Sequence, residues 1–125
     1  MEDTVRKYFN KPNRTLKDYG QDPFLALVLF ACLMEEFGYD IFSQVHKRYN
    51  NLTLPSYTNE AKVDMLVEQV SAVIGQNVWY YFKSWGLPVT NNSLSKVSKL
   101  KKYQCQRFPY ITQGWSICIN KKYNQ

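Results

Sequence analysis

The stretch D-P-F-L-A-L-V-L-F-A-C-L-M-E-E-F-G, residues 22–38, constrains this chain more than any other. Asp22 is a helix-capping residue, Pro23 suits a first helical position, and Gly38 suits the position just past a helix end. Between them Phe24 to Met34 is an unbroken apolar run. A helix apolar on nearly every side must be surrounded by other elements, so it is expected at the centre of the fold. The run is too short to span a bilayer, which takes roughly 20 residues. At 125 residues, 45% hydrophobic and 21% charged, the chain suits one globular domain over 1–125 with a single core.

The other periodic signals are mostly helical. A short helix is expected over Thr4 to Phe9, followed by a polar, turn-rich loop through Gly20. Asp40 can cap a helix whose Ile41, Phe42, Val45 and Tyr49 share a face. Thr58 or Asn59 can cap the clearest amphipathic helix, carrying Val63, Leu66, Val67, Val70, Val73 and Ile74 and closed by Gly75. Asn77 then opens the aromatic block W-Y-Y-F-K-S-W at 79–85. Val78, Tyr81, Phe82 and Trp85 fall on one helical face and belong in the core. Trp79 and Tyr80 lie off that face, as a second packing layer or as an exposed aromatic contact. Gly86 ends the helix and Leu87-Pro88 leads away extended. The fold class is therefore mainly α, a bundle-like domain of five or six helices with a small β element at the C-terminus.

Charge is segregated. All ten acidic residues precede residue 69, against eight Lys/Arg there, while the rest of the chain carries eight Lys/Arg and no acid. In S-L-S-K-V-S-K-L-K-K-Y, residues 93–103, Lys96, Lys99, Lys101 and Lys102 form one basic side of an expected short helix, with Leu94, Val97, Leu100 and Tyr103 beside them. Such a side is either a solvated face that complements the helix dipole or an anion-binding patch for glycan or lipid headgroups. Base-specific nucleic-acid recognition is disfavoured, since no basic helix face offers Arg, Asn and Gln together.

Catalytic constellations are missing from the sequence. The one histidine, His46, is flanked by Lys47 and Arg48 and reads as a partly exposed structural residue. Glu35 and Glu36 are adjacent on a helix and point about 100° apart, so they cannot flank one bond. Phosphate-binding glycine loops and nucleophile-elbow motifs are absent. Cys32, Cys105 and Cys118 have no metal-ligand spacing; Cys32 reads as a buried hydrophobe, and Cys105 could pair with Cys118 in an oxidising compartment. N-glycosylation triplets begin at Asn13, Asn51 and Asn91. The opening M-E-D-T-V-R-K-Y-F-N contains no apolar segment, so no secretory signal is expected. In the tail, Trp115, Ile117 and Ile119 alternate with polar or small residues, a strand pattern that would either pair with Tyr110 to Thr112 as a hairpin or complete a sheet in a further domain.

Six segments occur in one order: D-P-F-L-A-L at 22–27, M-E-E-F-G-Y-D-I-F at 34–42, K-R-Y at 47–49, A-K-V-D-M-L at 61–66, Q-V-S-A-V-I-G-Q-N-V at 69–78 and F-K-S-W-G-L-P-V-T at 82–90. Over residues 8–103 this order resembles the helical C-terminal part of enhancin-like, mucin-targeting gluzincin metallopeptidases, peptidase family M-60, which includes channel-associated relatives. The resemblance implies a zinc protease acting on glycoproteins, with two histidines of an H-E-x-x-H helix and a downstream glutamate on the metal. This chain departs from that pattern: it has one histidine and no H-E pair. The expected role is thus a non-catalytic subdomain or fragment that braces or shapes the cleft of such an enzyme, with zinc only in an upstream half. Its partner would be that catalytic domain or another protein, and it would be extracellular if it derives from a secreted metallopeptidase. Alternatives are a free-standing interaction protein of the channel-regulator kind and a basic glycan- or lipid-binding module. Residues 104–125 lie outside the resemblance.

Overall fold

A computed structural model describes residues 2–108 and Ile111. Its elements in order are α1 (Glu2–Asn10), α2 (Leu16–Gly20), α3 (Pro23–Phe37), α4 (Ile41–Tyr49), α5 (Asn59–Ile74), α6 (Trp79–Ser84) and α7 (Asn91–Val97). The chain is mainly helical, and the one β feature among the described residues is an isolated parallel bridge between Asn77 and Lys102. The hairpin expected of the tail lies outside the described residues.

α3 begins and ends where the sequence marks it. Asp22 accepts the Phe24 N–H at 2.9 Å, Pro23 occupies the first turn, and Gly38 follows with φ of 103°. Leu25, Val28, Leu29, Cys32 and Leu33 are buried in the core. Its outer side is also apolar: Leu27 is 60% exposed, in line with half-buried Phe24 and Ala31. No helix among the described residues is long and apolar enough to cross a membrane.

α5 packs against both α4 and α7. Thr58 caps it by accepting the Ala61 N–H at 3.2 Å, and Gly75 closes it with φ of 75°. Arg48 of α4 donates from Nε to Gln69 of α5 at 2.7 Å. Asp40 sits at the entry of α4 but caps no backbone group; its carboxylate instead accepts the Gln44 side-chain amide at 3.0 Å.

Two further sequence expectations are corrected. The turn-rich loop before Gly20 contains α2, built on a capping box: Thr15 Oγ1 accepts the Asp18 N–H at 3.3 Å while Asp18 accepts the Thr15 N–H at 2.9 Å. The basic helix expected through Tyr103 ends at Val97. The hydroxyls of Ser95 and Ser98 bond the carbonyls of Asn92 and Ser95, competing with continued helix. Beyond them the Asn77 N–H bonds the Lys101 carbonyl at 2.7 Å and the Tyr103 N–H bonds the Asn77 carbonyl at 2.9 Å, which fixes this segment as extended chain.

Trp85 is the hub of the core. It stacks on Tyr8 at 6.0 Å and meets Phe9, Tyr19 and Tyr81 edge-on at 4.9, 6.0 and 6.3 Å. Tyr8 donates its hydroxyl to the Trp85 carbonyl at 2.6 Å, tying α1 to the end of α6. The loop before α2 closes over the same place, where Arg14 donates to the carbonyls of Ser84 and Phe9, each at 2.9 Å.

Candidate functional site

The aromatic and basic residues singled out in the sequence converge at one end of the fold. The pairing of Asn77 with residues 101–103 brings the lysine-rich segment alongside the start of α6. There the Lys102 ammonium lies 4.7 Å from the centre of the Tyr80 ring, and Tyr80 meets Trp79 edge-on at 5.0 Å. Tyr80 is half-buried, whereas Trp79 is buried and donates its indole N–H to the Thr90 carbonyl at 2.8 Å. Of the two, only Tyr80 offers an edge to solvent, and Trp79 serves as the packing layer beneath it. The first turn of α6 is set by Asn77, whose side-chain oxygen accepts the Trp79 N–H at 2.8 Å.

The four lysines do not act as one face. Lys96, in α7, reaches Glu68 of α5 at 3.3 Å. Lys99 is exposed in the turn that follows α7 and Lys101 on the extended segment, and Lys102 is turned onto Tyr80. The result is a small cationic and aromatic corner, Tyr80 with Lys101 and Lys102, to which Lys99 adds charge. Such a corner can attract anions through Coulomb forces that salt screens.

The remaining candidates separate. His46 is exposed on α4 between Val45 of the core and the cations Lys47 and Arg48. Glu36 accepts the Tyr103 hydroxyl at 2.9 Å and the Gln106 N–H at 2.8 Å, and Glu35 pairs with Arg107. Both carboxylates thus hold residues 103–108 against α3. Among the described residues no three His, Cys, Asp or Glu side chains gather as a metal-binding group. A lone histidine with cationic neighbours does not fit a gluzincin zinc, which needs three protein ligands.

Sequence reasoning passed over the most elaborate polar node. Asp64 of α5 is buried, accepts the Thr90 N–H at 2.9 Å and the Ser93 hydroxyl at 2.6 Å, and also bonds the Thr90 hydroxyl. A legible signal existed: Asp64, Val67 and Ser71 fall at spacings of three and seven, a second helical face of α5, and all three are buried.

Comparison with known proteins finds relatives over part of the chain. The chain is 33% identical over 79 residues to TRPM8 channel-associated factor 3 of Rattus norvegicus, covering 63% of this chain and 9% of that protein. It is 31% identical over 77 residues to a TRPM8 channel-associated factor homolog of Danio rerio, covering 62% and 8%. It is 25% identical over 79 residues to TRPM8 channel-associated factor 2 of Homo sapiens, covering 63% and 9%. The matched region thus spans less than a tenth of each of these relatives. No solved structure matches the chain. The family described as Peptidase M60, enhancin and enhancin-like, matches residues 1–86, and the chain belongs to that family.

Proposed function

We propose that this chain is a non-catalytic helical subdomain of an enhancin-like metallopeptidase, bracing or shaping the cleft that receives a glycoprotein. The observation that carries this reading is the outer side of α3, where Leu27 stands 60% exposed between half-buried Phe24 and Ala31, opposite a side that is buried in the core. An apolar helix left open on one side suits packing against a further body. The family match over residues 1–86 and the sequence's lack of an H-E pair are consistent with that body being the zinc-bearing half. The test is to mix the chain with an enhancin-like catalytic fragment that carries H-E-x-x-H and lacks its helical segment. A stable complex with raised mucin cleavage, weakened by Leu27→Glu, is the expected result. No complex and unchanged cleavage would overturn the reading, as would one tightly held zinc per isolated chain by elemental analysis.

A second reading is a protein-interaction module of the channel-regulator kind. It is supported by the names of the matched relatives, TRPM8 channel-associated factors. Capture of a TRPM8 channel by the chain, with no effect of the chain on mucin cleavage, would favour it over the first. A role as a basic glycan- or lipid-binding module rests on Lys99, Lys101 and Lys102 alone and is tested by salt dependence, as argued below.

A further inference from the structure

Between α7 and the segment paired with Asn77 the chain makes a projecting tip. Ser98, Lys99, Leu100, Lys101 and Lys102 are all exposed, and buried residues bracket them, Val97 on one side and Tyr103 on the other. The tip is held at both ends. The Leu100 N–H bonds the Val97 carbonyl at 3.1 Å, and Asn77 bonds the Lys101 carbonyl and the Tyr103 N–H. Leu100 is 37% exposed there, in a stretch K-L-K-K whose other three side chains are cations.

An exposed leucine by itself needs no explanation. Its setting makes this one different. Among the described residues Lys99 and Lys101 have no ion-pair partner. The sequence carries no acid after Glu68, and Glu68 is engaged by Lys96 at 3.3 Å. Glu36 meets the inward residue Tyr103, and Lys102, its neighbour in extended chain, points the other way. Beside the tip the Lys102 ammonium lies 4.7 Å from the centre of the Tyr80 ring, which Trp79 meets edge-on. One face of Tyr80 is thus taken, so the ring is poorly placed as a platform for a sugar. A half-buried tyrosine with a lysine over it suits the boundary between headgroups and hydrocarbon.

A bilayer is the partner that uses all of these residues. A sulfated or sialylated glycan would satisfy the lysines and leave Leu100 in water. An anionic bilayer offers phosphates and carboxylates to the ammonium groups and, just beneath them, hydrocarbon to the leucine. We propose that the tip 98–102 seats this chain on the anionic surface of a lipid bilayer, with Lys99, Lys101 and Lys102 among the headgroups and Leu100 inserted between them. This rests on the reading of the chain as a basic glycan- or lipid-binding module and chooses lipid.

The experiment titrates the full chain with phosphatidylcholine vesicles, with the same vesicles containing phosphatidylserine, and with heparin. The chain should bind the phosphatidylserine vesicles and heparin but not phosphatidylcholine alone. Leu100→Ser should weaken vesicle binding about 5-fold, as withdrawing part of a leucine from hydrocarbon does, and leave heparin binding unchanged. Replacing Lys99, Lys101 and Lys102 together by glutamine should cost about 5-fold per lysine, roughly 100-fold in all, on the vesicles and should weaken heparin binding too. Leu100→Trp supplies a second readout. Relative to the unmodified chain, its added emission should shift to the blue and be quenched by a quencher carried on the lipid acyl chains, with the phosphatidylserine vesicles alone. Binding to heparin without binding to those vesicles would overturn the proposal and leave the basic-module reading standing. Vesicle binding that Leu100→Ser leaves untouched, with no acyl-chain quenching in the tryptophan variant, would also overturn it, reducing the tip to a charged patch. Binding to neither ligand would overturn both readings.

Discussion

Asp64 and Thr90 join α5 to α7 by a cap supplied from outside the capped helix. Thr90 stands at the N-cap position of α7 with no side-chain cap of its own, and the Asp64 carboxylate takes its N–H at 2.9 Å and its hydroxyl as well. Ser93 adds a third donor at 2.6 Å. Removing the carboxylate leaves the Thr90 N–H and hydroxyl short of their acceptor, while Ser93 keeps the Thr90 carbonyl at 3.0 Å, and hydrogen bonds to charged groups contribute about 1.5–3 kcal/mol each at most. Asp64→Ala is expected to destabilise the chain by about 3 kcal/mol and Asp64→Asn by roughly half of that. Urea unfolding with an unchanged slope measures this; a loss under about 0.5 kcal/mol for the alanine variant would mean that the node is dispensable.

Gly86 and Gly75 separate two reasons for glycine. Both have positive φ, 90° and 75°. A Cβ on Gly86 would stand 2.9 Å from the backbone carbon and oxygen of Arg14, whereas one on Gly75 meets nothing within 4 Å. Gly75→Ala should therefore cost about 1 kcal/mol, the left-handed penalty alone. Gly86→Ala adds a clash with backbone that Arg14's own hydrogen bonds hold in place, and should cost about 3 kcal/mol. Equal losses at the two sites in thermal unfolding would show that the loop before α2 yields readily.

The elements most visible in the sequence are those whose signals are local. Asp22, Pro23 and Gly38 bound α3, Thr58 and Gly75 bound α5, and the spacing of Val78, Tyr81, Phe82 and Trp85 placed those four in the core, where all are buried. α2 was hidden because its five residues hold no buried side chain and therefore no apolar stripe; the box T-L-K-D was its one mark. The extended course of residues 101–103 and the meeting of Tyr80 with Lys102 both depend on Asn77 bonding to residues 101 and 103. No local pattern encodes a pairing between residues so distant in the chain. The family resemblance was legible in ordered short segments; the burial of Asp64 could be read from its spacing with Val67 and Ser71, but its partners Thr90 and Ser93 could not, because nothing local links residue 64 to residues so far along the chain.

Trp85 tests what the aromatic hub contributes. It is fully buried, and its indole N–H has no hydrogen-bond partner among the described residues. Since a buried indole usually finds an acceptor, this side chain stabilises by volume and ring contact rather than by polarity. Trp85→Ala should cost about 3–5 kcal/mol, as an emptied aromatic site does. Trp85→Phe removes the unsatisfied N–H along with part of the volume and should cost only about 1 kcal/mol. A phenylalanine variant as damaged as the alanine variant would indicate that the N–H is bonded after all.

Alkaline pH should weaken the fold through the same hub. Burial pushes the hydroxyls of Tyr8 and Tyr19 up to about 12 from the ordinary 10.0. Because the folded values are raised, the native state retains these protons while the unfolded chain releases them. Their contribution is fully present below pH 10 and is lost as pH rises from there through about 12. Chemical denaturation should show a falling midpoint across that window, and Tyr19→Phe should flatten the fall. Tyrosinate absorbance that rises for all tyrosines together near 10, before any unfolding, would contradict the assignment.

The lysine-rich corner makes the last prediction, which separates a solvated surface from an anion-binding one. Lys99 and Lys101 are exposed, Lys102 rests on Tyr80, and Lys96 pairs with Glu68 at 3.3 Å across an exposed edge. Exposed pairs of this kind contribute about 0–1 kcal/mol, so replacing each lysine by glutamine should change stability by no more than about 0.5 kcal/mol per site. Binding should behave differently. With no acid after Glu68 to oppose them, the lysines around Tyr80 should hold heparin, sialylated mucin or anionic vesicles chiefly by Coulomb attraction, which falls as salt shortens the screening length to about 8 Å. The Lys99, Lys101 and Lys102 glutamine variant should lose that binding, while Lys96→Gln, already engaged with Glu68, should lose less. Loss for mucin alone would indicate a glycoprotein-facing corner, and equal loss for all three ligands a general positive patch. Salt-insensitive binding, or none by the unmodified chain, would return these lysines to the solvated surface.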